Sequence, residues 1–245
     1  MAFNERHKSI LDILKKQGSS TVSNIAKSLF VSEATVRRDL SEMQKLGLIE
    51  RSHGGAVLAE NADEVSLFVR MNKNAAQKER AATIALAHIP EFHSVFIDSS
   101  STALALAERM DLEYKTVVTN NLETAVRLSK KKNVNLIILG GSVRYNTISA
   151  TGSFTSRQLE EFAFDLMICS CAAVSSNEAL ERSIEQKEIK AAAMRRSKCC
   201  ILIFDSTKYS EHGSYKIASL SQFDLIVTDK KPPEDVSLGD VLAVF

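Results

Sequence analysis

Glycine and proline are both scarce in these 245 residues, nine and three respectively, so no low-complexity or disordered tract is built from them. Cysteine is nearly as rare. The four cysteines form two tight pairs, Cys169-x-Cys171 and Cys199-Cys200, each inside an apolar run, DLMICSCAAV and KCCILIF. No histidine lies near either pair to complete a zinc set. The pairs read instead as buried strands in a reducing compartment, with cysteine acting as a small hydrophobe and no metal or cofactor implied. No apolar run approaches the roughly 20 residues that a membrane span needs, and the opening MAFNERHKSI has no hydrophobic signal-peptide core. A cytoplasmic protein without membrane contact is the expectation.

An excess of one charge is missing too, since the net charge is +1. Its distribution is uneven. Residues 1–58 carry nine Lys/Arg against six Asp/Glu, or +3, which leaves −2 on the rest. A positive head on a slightly negative body suits DNA contact by one end. Hydrophobic residues at 44% and charged residues at 25% are ordinary for a globular chain, and the length admits a small domain joined to a medium one.

Three helices are predicted in the head. The first spans Glu5–Gln17, with Ile10, Ile13 and Leu14 on one stripe and Gly18 as its stop. The second spans Ser23–Phe30 with Ser23 as N-cap. The third follows after only Val31-Ser32, capped by Ser32, striped by Val36, Leu40, Met43 and Leu46, and closed by Gly47. Two helices joined by so tight a turn form a helix-turn-helix. Small residues at the start of the third helix, Ser32, Ala34 and Thr35, let it sit deep in a major groove. Glu33 lies beside them, and Arg37 and Arg38 supply one base-edge reader and one phosphate clamp. Strand-like segments 48–51 and 56–58 then flank Ser52-His53-Gly54-Gly55, a hairpin wing whose Arg51 and His53 can reach a phosphate or the minor groove.

Residues 59–74 read as a linker and 75–245 as an α/β domain. A helix at 75–88 is followed by alternating strands and helices: strands 94–98, 116–119, 135–140, 165–174, 199–205, 225–229 and 241–245, helices 101–110, 121–131, 154–162 and 184–197. Apolar runs alternating with amphipathic helices imply a mainly parallel sheet covered on both faces, with ligands beyond the carboxyl ends of its strands. Those ends are polar. Asp98-Ser99-Ser100-Ser101-Thr102 opens one helix, Thr119-Asn120-Asn121 opens another, and Gly140-Gly141 is followed by Ser142 and Arg144. Hydroxyls and free amides at helix starts suit a phosphate or another anion, and Arg144, Lys190 and Lys208 add charge. Taken singly, each such serine or asparagine is more often a simple helix cap. Their repetition at successive strand ends is what points to a ligand crevice.

The run VSEATVRRDLSEMQKLGLIERSHGGAV closely resembles the DNA-binding signature of the DeoR family of bacterial regulators, over Ser32–Leu40 and Arg51–Ala56. Phe68-x-Arg70, Asn74, Lys78, IDSSST, VTNN, LGG, Asp205–Lys208 and Thr228-Asp229 resemble the successive landmarks of that family's C-terminal sensor domain. The resemblance implies a fold similar to pentose-phosphate isomerases and CoA transferases, and a phosphorylated sugar as effector. By the same analogy the phosphate rests on Ser99–Thr102, with Thr119, Asn120, Gly140, Gly141 and Arg144 around the sugar and Lys190 and Lys208 closing the pocket. Ser100 stands where the family usually has glycine, and CSCAAVSSN lacks the glycines common after that strand.

The implied function is a repressor of a sugar uptake or catabolism operon, working on operator DNA as a homodimer or homotetramer. Catalysis is not expected. Isomerase chemistry needs a carboxylate at the end of the strand DLMICSCAAVSS, and Glu178 and Glu181 come only later. A pure protein-interaction or redox-sensing regulator using the cysteines is the other alternative, separable by whether oxidant or a sugar phosphate releases the DNA.

Overall fold

Buried Ile10 and Leu14 on one stripe make helix α1, Glu5–Gln17, and Gly18 ends it at φ +73°, as its sequence predicts. It opens the computed structural model, which describes residues 5–45, 48–52, 54–58, 66–238 and 241–245. The chain divides into two compact units, residues 1–73 with 145–147, and 74–144 with 148–245.

In the first unit, α1 is followed by a short strand that the sequence did not suggest, β1 (Ser19–Thr21), then α2 (Val22–Leu29) and α3 (Glu33–Lys45). Thr21, not Ser23, caps α2. Its backbone is extended and its hydroxyl accepts from the Asn24 amide at 3.2 Å, three residues on, where a cap must stand. Phe30, at φ 54°, turns the chain out of α2. Ser32 caps α3 as expected, accepting from the Thr35 amide at 3.2 Å. Leu46 and Gly47, expected to close that helix, lie outside the described residues. The wing is β2 (Ile49–Ser52) paired antiparallel with β3 (Gly55–Leu58), and β1 adds to the other edge of β3. Of the segment expected as linker, residues 59–65 lie outside the described residues and Leu67–Asn72 form a helix, α4. Val69 of α4 joins Ile10, Leu14, Ile25, Val36, Leu40, Met43 and Ile49 in one core.

The second unit opens with α5 (Ala75–Leu86), β4 (Ser94–Ile97), α6 (Ser101–Ala107), β5 (Thr116–Thr119), α7 (Leu122–Leu128) and β6 (Asn135–Ile138). A hairpin, β7 (Ser142–Arg144) and β8 (Ser149–Thr151), leads to α8 (Ser153–Glu160) and β9 (Phe164–Cys169). Then come β10 (Ala173–Ser175), β11 (Glu178–Glu181), α9 (Ile184–Arg195), β12 (Ser197–Ile203), a 3-10 turn at Ser206–Ser210, β13 (Tyr215–Ser219), a second 3-10 turn at Leu220–Gln222, β14 (Leu225–Val227) and β15 (Leu242–Val244). Seven strands form one sheet in the order β15-β14-β12-β9-β4-β5-β6, parallel at every pairing.

The strands read as unbroken apolar runs because both faces are covered. Val95 and Ile97 of β4 pack with Ala81 and Ala85 of α5 and Leu106 of α6, while Phe96 faces the other way toward Leu159 of α8 and Ile189 of α9. The single strand expected at 165–174 is a correction. β9 stops at Cys169, the chain turns at Ser170, and β10 belongs to a separate antiparallel sheet, β10-β11-β13. The turn is fixed by charge: Asp98 takes the Ser170 amide and Lys190 donates to its carbonyl. All four cysteines are free thiols, three of them buried.

Candidate DNA-reading head and effector site

On α3, packed and exposed residues are divided between two faces. Val36, Asp39, Leu40 and Met43 point inward, while Ser32, Glu33, Ala34, Arg37 and Arg38 are exposed and Thr35 half-buried. The Ser32 and Thr35 hydroxyls lie 2.9 Å apart. Arg37 is held by Glu33 at 3.0 Å, a solvent-exposed pair one turn apart that is worth under ~1 kcal/mol and releases readily. Arg38 has no ion pair among the described residues. Arg51 and Gly54 of the wing are exposed, and His53 lies outside the described residues.

The two wing glycines serve different purposes. Gly54 sits at φ +80° with nothing near its α-carbon, so conformation alone requires it, and its carbonyl accepts from the Val22 amide at 2.9 Å. Gly55 is buried, and a Cβ there would lie 2.3 Å from the Ser20 carbonyl of β1. It permits the third strand to close on the wing and offers nothing to a ligand.

The motif residue Asp39 also turns inward. Its carboxylate accepts from Arg6 Nε at 2.5 Å and from Arg6 Nη2 at 2.8 Å, and His7 approaches Asp39 at 3.5 Å and Glu42 at 3.7 Å. The hydrogen bond that Arg6 donates to Asp39, reinforced by the carboxylate's charge, raises the Arg6 pKa. A two-pronged bond between α1 and α3 fixes the rotation of the reading helix about its own axis. Sequence reading missed Arg6 in this role, because its partner stands 33 residues away.

In the second unit, successive strands run outward from β4 in two directions, to β5 and β6 on one side and later to β9, β12, β14 and β15 on the other. The crevice of such a sheet opens where the order reverses, between the carboxyl ends of β4 and β9. Asp98 stands there. One of its oxygens accepts from the Ser100 amide at 2.9 Å, and the other from the Ser170 amide at 3.1 Å and Lys190 Nζ at 3.1 Å. Lys190 Nζ also donates to the Ser170 carbonyl at 2.7 Å and to Glu181 at 2.5 Å. Burial works against the Lys190 charge, but Glu181 and Asp98 outweigh it and hold the ammonium above the ordinary lysine range.

A carboxylate thus does reach the end of β9, contrary to the sequence expectation. Glu181 returns on β11, and only the tertiary fold brings it back.

Ser99 through Thr102 are buried, as are Thr119, Asn120 and Asn121. The Ser100 hydroxyl caps α6 by accepting from Ala103 N at 3.1 Å. The amides of Ser101 and Thr102, the first two of α6, meet no acceptor among the described residues. Asn120 donates to the Ala150 carbonyl at 2.9 Å, while its own side-chain oxygen is buried without a partner among the described residues. Gly140 is tied elsewhere: its amide donates to Gln158, and its carbonyl accepts from Thr155 and Gln158 of α8. A Cβ on Gly141, at φ +153°, would strike the Thr155 hydroxyl at 2.0 Å. Both glycines therefore serve the packing of α8.

Arg144 pairs with Glu185 at 2.9 Å. The Ser183 hydroxyl, the backbone amide of Glu185 and Arg144 together hold Glu185 below the usual carboxylate range. Lys208 is half-buried on the first 3-10 turn, whose cap Asp205 accepts from the Thr207 amide. Burial pushes the Cys171 thiol up to about 12 against the pull of Lys190 and Lys208.

Asp98–Thr102, Thr119, Asn120 and Lys190 are thus gathered at the strand ends, and Gly140, Gly141 and Arg144 are engaged with α8 and α9. Glu181, Gln186, Ser149 and Ser170 belong to the same polar set and were missed. The one available signal was the spacing of Gln186 and Lys190, four apart on one face of a helix.

Two family models match this chain, the DeoR-like helix-turn-helix domain over residues 6–62 and the DeoR C terminal sensor domain over 73–230. The HTH-type transcriptional regulator GolR of Listeria innocua is 31% identical, covering 93% of this chain and 91% of that protein. The glycerol-3-phosphate regulon repressor of Escherichia coli is 30% identical, covering 96% and 94%. The L-fucose operon activator of Haemophilus influenzae is 30% identical, covering 95% and 94%. No helix among the described residues is long and apolar enough to cross a membrane. Joining a DNA-reading helix-turn-helix to a sensor domain and matching regulators over nearly its whole length, the chain belongs to the DeoR family of transcriptional regulators and is not an enzyme.

Proposed function

We propose that this regulator represses a sugar uptake or catabolism operon in the cytoplasm, and that a phosphorylated sugar in the crevice between β4 and β9 controls its grip on the operator. The head reads DNA through Ser32, Glu33, Ala34, Thr35, Arg37 and Arg38, with Arg51, His53 and Gly54 of the wing on the phosphates. Two or four copies act together, because one small head buries too little surface for tight specific binding and paired heads gain from effective concentration.

The observation that carries the effector reading is the start of α6 at the reversal of strand order. The amides of Ser101 and Thr102, with their hydroxyls, face an anion there without competing acceptors. Lys190 and Asp98 take a different part from the one the resemblance implied. Each is saturated by the other and by the Ser170 backbone, so they shape the floor and the anion rests on amides and hydroxyls. The Asn120 side-chain oxygen accepts from a sugar hydroxyl, and Lys208 adds positive charge. A glycerol-3-phosphate regulon repressor among the relatives supports a phosphorylated effector, and an operon activator among them makes the sign of control a matter for measurement.

The test uses DNA selected by the full chain from a random duplex library. Thermal shift and gel shift are run with glycerol 3-phosphate, glucose 6-phosphate, fructose 1-phosphate and inorganic phosphate. Ser101→Asp is expected to keep DNA binding and to lose the response, because a carboxylate occupies the anion position. An unchanged effector affinity in that variant places the phosphate elsewhere, and a reporter that falls when the gene is deleted makes the regulator an activator.

A further inference from the structure

One helix holds both the effector loop and the β7–β8 hairpin. Lys190 of α9 reaches Asp98, and one turn earlier Gln186 accepts from the Ser99 hydroxyl at 2.9 Å. The amide nitrogen of the same side chain donates to the Ser149 hydroxyl of β8 at 2.7 Å. Beside it Glu185 takes Arg144 of β7. The first turn of α9 therefore grips both strands of the hairpin base while its inner face grips residues 98 and 99. Ser99, Gln186 and Ser149 are all buried. The chain leaves the second unit after Arg144 and re-enters it at Ile148; the residues between, 145–147, belong to the unit that carries the recognition helix.

We infer that Gln186 is the positioning residue that couples the effector loop to the hairpin. The inference rests on the anion reading of that loop. A serine hydroxyl has one proton to give. When a bound oxyanion draws the Ser99 proton, Gln186 Oε1 loses the Ser99 hydrogen bond in a buried setting, where a lost bond is costly. The amide must then turn to find a new donor, and its nitrogen leaves Ser149. The hairpin base loses its Gln186 tie on the β8 side, while Arg144–Glu185 holds β7 and the bonds of Asn120 and Leu122 to Ala150 and Ile148 remain, so occupancy of the loop becomes a change in the hairpin that leads covalently to residues 145–147.

The first arm needs no effector. In the full chain, amide hydrogen exchange over residues 142–151 is compared for wild type, Ser99→Ala, Gln186→Leu and the double variant. Ser99→Ala is expected to speed exchange across the hairpin by at least about threefold in wild type and to add nothing in the Gln186→Leu background. A hairpin indifferent to Ser99→Ala, or effects that simply add, overturns the coupling. The second arm uses the selected DNA with glycerol 3-phosphate, glucose 6-phosphate, fructose 1-phosphate and inorganic phosphate. Gln186→Leu is expected to lack the Ser149 tie with or without ligand, so its grip on DNA matches that of the ligand-bound wild type and no longer changes with the active compound. A retained response overturns the inference. If none of these compounds binds the wild type, the phosphate reading fails on its own terms and the exchange arm still decides the coupling.

Discussion

The reading face of α3 and the crevice at the ends of β4 and β9 are both built from small polar residues and cations, and they treat them oppositely. Ser32, Glu33, Arg37 and Arg38 stand in solvent. Asp98 to Thr102, Asn120 and Lys190 are buried. A surface that meets a long polyanion keeps its charges hydrated and mobile until they dock, and gains from counterion release on contact. A recessed site must hold its polar groups out of water at all times, so most of them need an internal partner, and those left open await a ligand. The head thus keeps its cations at the surface, whereas the crevice rests on a buried network in which Asp98 and Lys190 are satisfied while the Asn120 oxygen and the first amides of α6 are left open among the described residues.

The largest expected effect lies in that network. Lys190→Met strands Asp98 and Glu181 as buried carboxylates without their cation, which costs about 3–5 kcal/mol. Calorimetry should show a large drop in the transition of the sensor unit. An unchanged transition would mean that the cluster is hydrated and that the contrast with the head is false. Arg38→Ala in the same measurement should stay within about 0.5 kcal/mol, as an exposed substitution does.

Asp39→Asn comes next. The carboxylate is buried and bonded twice to Arg6, and losing charge-assisted bonds costs about 1.5–3 kcal/mol. Since Arg6 is partly exposed, the lower end applies. Denaturant unfolding of the full chain gives the number. DNA affinity should fall with it, because α3 loses the bond that sets its rotation.

Those two variants mark where sequence reading stopped. Helix α1 was legible to the residue, since its stripe and its terminal glycine are local features. The cap of α2 was misplaced by two residues because Thr21 also belongs to a strand whose partner, β3, lies some 35 residues on. Asp39 was read as part of a DNA signature, while its carboxylate serves Arg6. Gln186 gave no signal beyond its four-residue spacing from Lys190, because its partners Ser99 and Ser149 lie 87 and 37 residues away.

On the DNA side, Arg38→Ala should weaken binding by about 1–3 kcal/mol and lower the salt slope by about one if its contact is a phosphate. Arg37→Ala should lose somewhat less, because Arg37 first gives up Glu33. Gel-shift titration at several salt concentrations separates them, and equal wild-type affinity in both removes α3 as the reading helix.

The smallest effect is expected at the cysteines. Burial raises Cys171 and Cys200 to about 12, so the folded protein binds protons that an unfolded thiol releases above about pH 9. Their contribution to stability is therefore full below pH 9 and declines as pH rises toward 12. At pH 8 both thiols should alkylate at least about a hundredfold more slowly than a free cysteine, and mild oxidant should leave DNA bound. Rapid labelling with release of DNA would favour the redox reading over the sugar phosphate.

By itself the sequence determined the helix-turn-helix, the wing, the parallel sheet and the polar strand ends, because each rests on periodicity, caps and glycines within some ten residues. Tertiary structure alone decided which of those polar residues are free. Strand order set β9 beside β4 and so brought Ser170 and Lys190 to Asp98, and β11 returned Glu181 to the same point. The pairing of a buried charge is a property of chain crossings tens of residues apart, and no local pattern encodes it.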